Sequence, residues 1–164
     1  MVFSHVGREN ERVGLSEKGN DMKKTVLVID SDRTRLSEIM SSWHDHPWWT
    51  ITATTLDEAI DILDDTIIDM IIAVEDLGWL SGADFLRLTH HRYPRMIRIL
   101  IANETFMTHQ ESFSPCFHAE DHFHVVATQP YNSEYMTEIV HEMFGLEERK
   151  SHQASDYLPS DIRF

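Results

Sequence analysis

Two hydrophobic periods take turns along this chain. Val26 to Ile29 is apolar at every position, the pattern of a parallel strand covered on both faces. Leu36, Ile39, Met40 and Trp43 then recur at i, i+3, i+4 and i+7, one stripe of a helix. Pro47 interrupts the chain before a β-branched stretch, Thr50 to Ala53, which predicts a second strand. Thr55 with Glu58 three residues on is a capping-box pattern, and Leu56, Ala59, Ile60 and Leu63 share the face of the helix it opens. Met70 to Val74 is a third apolar run, followed by a loop with Gly78 and Gly82 and by a helix through Phe85, Leu86 and Thr89. Tyr93-Pro94 ends that helix, because the residue before proline is driven out of the helical region. Ile97 to Ile101 and Val125 to Ala127 predict the fourth and fifth strands. Ser133 is placed to cap a last helix with Met136, Ile139, Val140 and Met143 on one face and Gly145 as its stop.

Strands alternating with helices over short connections imply an α/β fold, a doubly wound five-stranded parallel sheet with right-handed crossovers. Three segments are expected: a flexible arm over 1–22, one ordered domain over 23–146 and a tail over 147–164. Met22-Lys23-Lys24-Thr25 resembles a natural chain start. In such sheets function gathers at the carboxyl ends of the strands. Those ends are Asp30 to Asp32, Ala53, Val74 to Asp76, Ala102-Asn103 and Thr128 to Pro130.

Composition narrows the reading. At 164 residues and 41% hydrophobic content the chain can bury one core. Its formal charge of -14 opposes binding to nucleic acid, which depends on Lys and Arg displacing phosphate counterions, and to anionic membrane. No apolar run approaches the roughly 20 residues that span a bilayer. A single cysteine allows no internal disulfide and fits a cytoplasmic protein.

The strand ends resemble those of the receiver domains of two-component response regulators. The likeness runs over about 23–146 and is carried by five pieces in order: Val26 to Asp32, Trp49 to Ala53, Asp69 to Val74 with Gly82 downstream, Tyr93-Pro94 with Arg98 to Ala102, and Thr128-Gln129-Pro130. It implies a flavodoxin-like sheet of order 2-1-3-4-5. A working receiver takes a phosphoryl group onto an aspartate at the end of the third strand. Acids at the first strand hold Mg²⁺ there, while a hydroxyl and a lysine contact the phosphoryl oxygens. Matched residue by residue, this chain has Asp30 and Ser31 at the acidic pair, Val74 at the nucleophile, Ala102 at the hydroxyl and Gln129 at the lysine. Valine has no lone pair to offer, so this is expected to be a degenerate pseudo-receiver with no enzymatic activity. It would act alone, without an attached output domain, through contact with a kinase, a receiver or an output enzyme.

The rival expectation is a Mg²⁺-dependent phosphoacceptor using Asp76 or Glu75. No cofactor is required on the first view. Asp30, Asp32, Glu75 and Asp76 nevertheless form a candidate site for weak Mg²⁺ or Ca²⁺ binding, since clustered carboxylates repel until a hard cation joins them. Cys116, His118, His122 and His124 are a candidate zinc set, against which stands a spacing that matches no common zinc signature. Trp48, Phe106, Val126 and Tyr131 are candidate interaction residues, and the resemblance implies a homodimer face between the fourth strand and the last helix. The first strand-to-helix turn lacks the Gly-rich cradle of a nucleotide binder, and no nucleophile elbow is present.

Overall fold

The computed structural model describes residues 22–104 and 123–156, with side chains to 150. Phe106, Cys116, His118 and His122 lie outside the described residues. Among the described residues nine elements follow one another. They are β1 (Lys24–Ile29), α1 (Arg33–Ser42), β2 (Trp48–Ala53), α2 (Leu56–Asp65), β3 (Met70–Val74), α3 (Gly82–Arg92), β4 (Ile97–Ala102), β5 (Val125–Thr128) and α4 (Ser133–Asp156). The five strands form one parallel sheet of order β2-β1-β3-β4-β5; the parallel sheet is what the alternation of strands and helices predicts, and the order is the one the receiver resemblance implies.

The central strands are buried at nearly every residue, Met70 to Val74 and Ile97 to Ala102 without exception, because helices cover both faces. Leu36, Ile39 and Trp43 of α1 and Leu56, Ala59 and Leu63 of α2 point into that core, whereas Met40 and Ile60 are exposed. Trp43 also donates its Nε1–H to Thr137 Oγ1 at 2.8 Å, tying α1 to α4. Truncating a residue such as Leu27 or Ile72 to alanine costs about 2–5 kcal/mol in a core of this kind.

The start of β2 differs from expectation. The strand opens at Trp48, and the pleat sends successive side chains to opposite faces. Trp48 is 3% exposed and Trp49 60%. Trp48 meets Trp43 edge-on at 5.4 Å, and His46 stacks on it at 4.6 Å. It is therefore a core residue rather than an interaction anchor. The exposed indole is that of Trp49, with the Lys23 ammonium 4.7 Å from its ring.

Helix ends also depart from the pattern in places. Thr55 Oγ1 accepts the Glu58 N–H at 3.2 Å as predicted, but Glu58 reaches back to the Thr54 N–H at 2.8 Å, one residue early. Asn132, not Ser133, caps α4, its Oδ1 accepting the Tyr135 N–H at 2.8 Å. Gly145 does not stop α4, which continues to Asp156. A glycine ends a helix by turning left-handed; among the described residues only Gly78 has a positive φ, 102°. Part of the expected tail, 147–156, is thus helical. Gly82 has a different reason to be glycine. A Cβ there would overlap the carbonyl oxygen of Val74, so only glycine lets α3 start this close to the end of β3. No helix among the described residues is long and apolar enough to cross a membrane.

Candidate functional site

The carboxyl ends of the strands lie on one side of the sheet, as a parallel arrangement requires, and Asp30 follows β1 there, between β2 and β3. Its side chain is fully buried. Asp32, two residues on, accepts the Thr34 and Arg35 N–H groups at 2.9 and 3.3 Å and so caps α1. That cap fixes the first turn of the helix and delivers Arg35 onto Asp30. Arg35 Nε donates to Oδ2 of Asp30 at 2.6 Å and Nη2 to Oδ1 at 2.8 Å, a two-pronged pair. Its Nη1 lies 3.2 Å from Asp32 Oδ2. From the far side Tyr131 donates its hydroxyl to Asp30 Oδ2 at 2.6 Å, and the Asp32 N–H donates to Oδ1 at 2.9 Å. The four hydrogen bonds occupy roughly all the acceptor positions a carboxylate offers.

Burial by itself would raise the Asp30 pKa. The hydrogen bonds from Arg35, Tyr131 and Asp32, with the Arg35 charge, outweigh it and hold the carboxyl below its usual value. Arg35 is pushed up, chiefly by its hydrogen bond to Asp30. Tyr131 is raised by burial first and then by the same carboxylate, so it stays a donor.

Beside this triad, Val74 ends β3 with 1% of its surface exposed, paired with Ile101 of β4. Ala102 is fully buried, and its carbonyl accepts the Gln129 N–H at 3.0 Å. The Gln129–Pro130 peptide bond is cis, and the chain then passes to Tyr131.

The four acids considered as a cation site are held apart by separate tasks. Asp30 is saturated by Arg35 and Tyr131, and Asp32 caps α1. Glu75 turns away, its Oε2 accepting the Ala83 N–H at 3.0 Å at the start of α3, where burial above all raises its pKa. Asp76 is exposed and accepts from Asn103 Nδ2 at 3.0 Å. Among the described residues no group of three or more His, Cys, Asp or Glu is placed to hold a metal ion. Mg²⁺ asks for about six oxygens in octahedral array; here the guanidinium of Arg35 supplies positive charge to Asp30 instead, and the residues present do not fit the ion.

Asp76 does share a cavity of about 530 Å³ with Arg35, Asn103, Glu104, Gln129, Pro130 and Tyr131. Of the other candidates, Val126 is half-buried on β5 opposite Leu100. Tyr131 is half-buried and holds Asp30. His124 accepts the Arg98 backbone N–H on Nδ1 at 3.0 Å, so that ring nitrogen is already spent, and the His124 backbone N–H donates to the Arg98 carbonyl. Arg35 is the residue of this candidate site that the sequence pattern did not single out. The available signal was its position one helical turn beyond a capping Asp32 and five residues after Asp30.

Comparison with known proteins places this geometry in a structural class. The fold is that of response-regulator receiver domains. A CheY-like receiver domain from Methanospirillum hungatei superposes with a TM-score of 0.64 at 16% identity, covering 78% of this chain and 98% of that one. The receiver domain of an HD domain-containing protein from Pseudomonas fluorescens gives 0.60 at 18% identity, over 81% and 98%. NtrX from Brucella abortus gives 0.69 at 14% identity, over 87% of this chain and 31% of that one. In sequence, the hydrogenase transcriptional regulatory protein HoxA of Cupriavidus necator is 30% identical over 86 residues, 52% of this chain and 18% of HoxA. No family model matches the chain.

Proposed function

We propose that this chain is a receiver-like component of two-component signalling that works through protein contact and without phosphoryl transfer to the end of β3. The observation that carries the reading is the two-pronged Arg35–Asp30 pair set against a buried Val74. Where a receiver of the resembled kind needs a cation on the first-strand acid, this chain has a fixed internal guanidinium. Where it needs a carboxylate to attack phosphorus, there is an aliphatic side chain without a lone pair. Arg35 and Tyr131 join the end of β1 to the turn after β5 through hydrogen bonds on Asp30, which ties the surface around that turn to the first strand. Its partner would be a kinase, a receiver or an output enzyme in the cytoplasm.

The test is intact-mass measurement after incubation with acetyl phosphate and Mg²⁺. The expected spectrum is that of the unmodified chain. A second reading, phosphorylation of Asp76, draws on its place in one cavity with Arg35. A stoichiometric phosphoryl adduct that disappears in Asp76→Asn would establish that reading and end the first.

A further inference from the structure

An open sheet has two edges, and in this molecule they are treated differently. The β5 edge is four residues long and runs straight into Gln129-Pro130. The β2 edge is Trp48-Trp49-Thr50-Ile51-Thr52-Ala53, six residues with no proline, glycine or charge. Natural edges are commonly blunted by lysine, proline, a bulge or shortness; β2 has none of these within it.

Its backbone polarity can be assigned. The Ala53 carbonyl accepts the Asp30 N–H at 3.1 Å and so faces β1. Both polar groups of a strand residue point the same way, and the direction alternates along the chain. Trp49 and Ile51 therefore also face β1, while Thr50 and Thr52 turn their N–H and C=O groups outward. None of those outward groups has a hydrogen-bond partner among the described residues. Next along the edge, the Thr54 N–H is already taken by Glu58. Trp49, 60% exposed, stands on one face beside Ile51, which is half-buried.

Charge selects the occupant. Helix α2, packed on β2, has Asp57, Glu58, Asp61, Asp64 and Asp65 among its ten residues and no base. Asp64 is paired with Arg92, and Glu58 feels the charge of Arg33; among the described residues the others make no ion pair. Of the bases near the strand, Lys24 is shared between Asp69 and Glu147, and Lys23 lies over Trp49. A second copy, carrying the same -14 and the same acidic helix, would meet like charge across the edge.

We propose that β2 is the docking edge for an extended segment of a protein partner with alternating basic and apolar side chains, which adds to the sheet as a further strand. The inference rests on the reading that the chain works by protein contact, and it names the kind of partner. The outward N–H and C=O groups of Thr50 and Thr52 supply the ladder. Trp48 turns toward Trp43 and Phe144 on the α1–α4 face, so Trp49 and Ile51 share the other face with α2. The basic side chains of the added strand lie on that face, over the Trp49 ring and toward the α2 carboxylates, and its apolar side chains lie on the opposite one.

The test is amide hydrogen exchange on the full chain with the capped peptide Lys-Val-Lys-Val-Lys-Val-Lys as probe. The Thr50 and Thr52 amides should exchange freely alone and become protected as the peptide is added. The glutamate counterpart should bind at least about tenfold more weakly. Thr52→Pro removes an outward N–H without touching the β1 ladder, and edge strands tolerate proline, so it should fold yet lose the peptide; Trp49→Lys, at an exposed site, should do the same. Equal binding by either variant, or no protection at saturating peptide, would overturn the proposal. So would Thr50 and Thr52 amides protected without peptide, which would mean the edge is already covered. A phosphoryl adduct in the mass assay bears on the signalling reading alone, so the two can fail separately.

Discussion

The crevice at the carboxyl ends of the strands and the open edge of β2 are opposites in how they treat polar groups. In the crevice, Asp30 is fully buried and each of its acceptor positions is filled from within the chain. At the edge, Thr50 and Thr52 hold out backbone donors and acceptors that nothing among the described residues meets. A satisfied buried network rigidifies; an unsatisfied surface row is a template for another chain. The place where chemistry would be sought first is the closed one.

The largest effect that would sharpen this contrast comes from Val74→Asp. It puts a carboxylate into a strand that is buried throughout, beside an Asp30 whose partners are already committed. Thermal or urea unfolding should show a loss of about 3 kcal/mol or more at pH 7, reduced at acid pH where the new group is neutral. Arg35→Ala removes the cation and leaves Asp30 buried. A fully buried pair broken in this way costs about 3–5 kcal/mol. Because the Arg35 side chain is 37% exposed, about 2–3 kcal/mol is expected from the same unfolding measurement. A negligible change would mean the crevice is not closed by this pair.

Tyr131→Phe deletes one hydrogen bond to a charged acceptor and should cost about 1.5 kcal/mol. It should also loosen the turn after β5, read as faster amide exchange there. The pH dependence follows from Asp30. Its folded pKa is depressed, so the stability it contributes is complete above its unfolded value, about 3.9. That stability is lost as pH falls through the lower folded value. Acid unfolding of the Asp30→Asn variant should lack this component. The smallest effect belongs to Glu75→Gln. The folded pKa of Glu75 is raised, so the charged form is the disfavoured one. Removing the charge should stabilise slightly at pH 7, and the gain should vanish as pH falls below the unfolded value, where both side chains are neutral.

The fold was legible because its signals are local. Apolar runs at strand spacing and stripes at helix spacing are properties of consecutive residues, and all nine described elements carry them. The absence of a carboxylate at Val74 was equally plain, since a missing functional group needs no geometry to be seen. The face of a Trp pair was not settled by alternation alone. Trp48 and Trp49 had to go opposite ways, but which went inward depended on the space between α1 and α4, where Trp43 and Phe144 wait. Gly145 had the composition of a helix stop without the left-handed turn that makes one.

Sequence alone, then, determined the order of elements, the parallel sheet and the lack of a nucleophile at position 74, because each is written in neighbouring residues. Only tertiary structure decided what Asp30 does. One of its partners lies five residues away and another 101 residues away, and such distant donors meet only when the sheet has brought the ends of its strands together. The exposed row of β2 belongs to the same category, since a strand becomes an edge by its position in the sheet and not by its own residues.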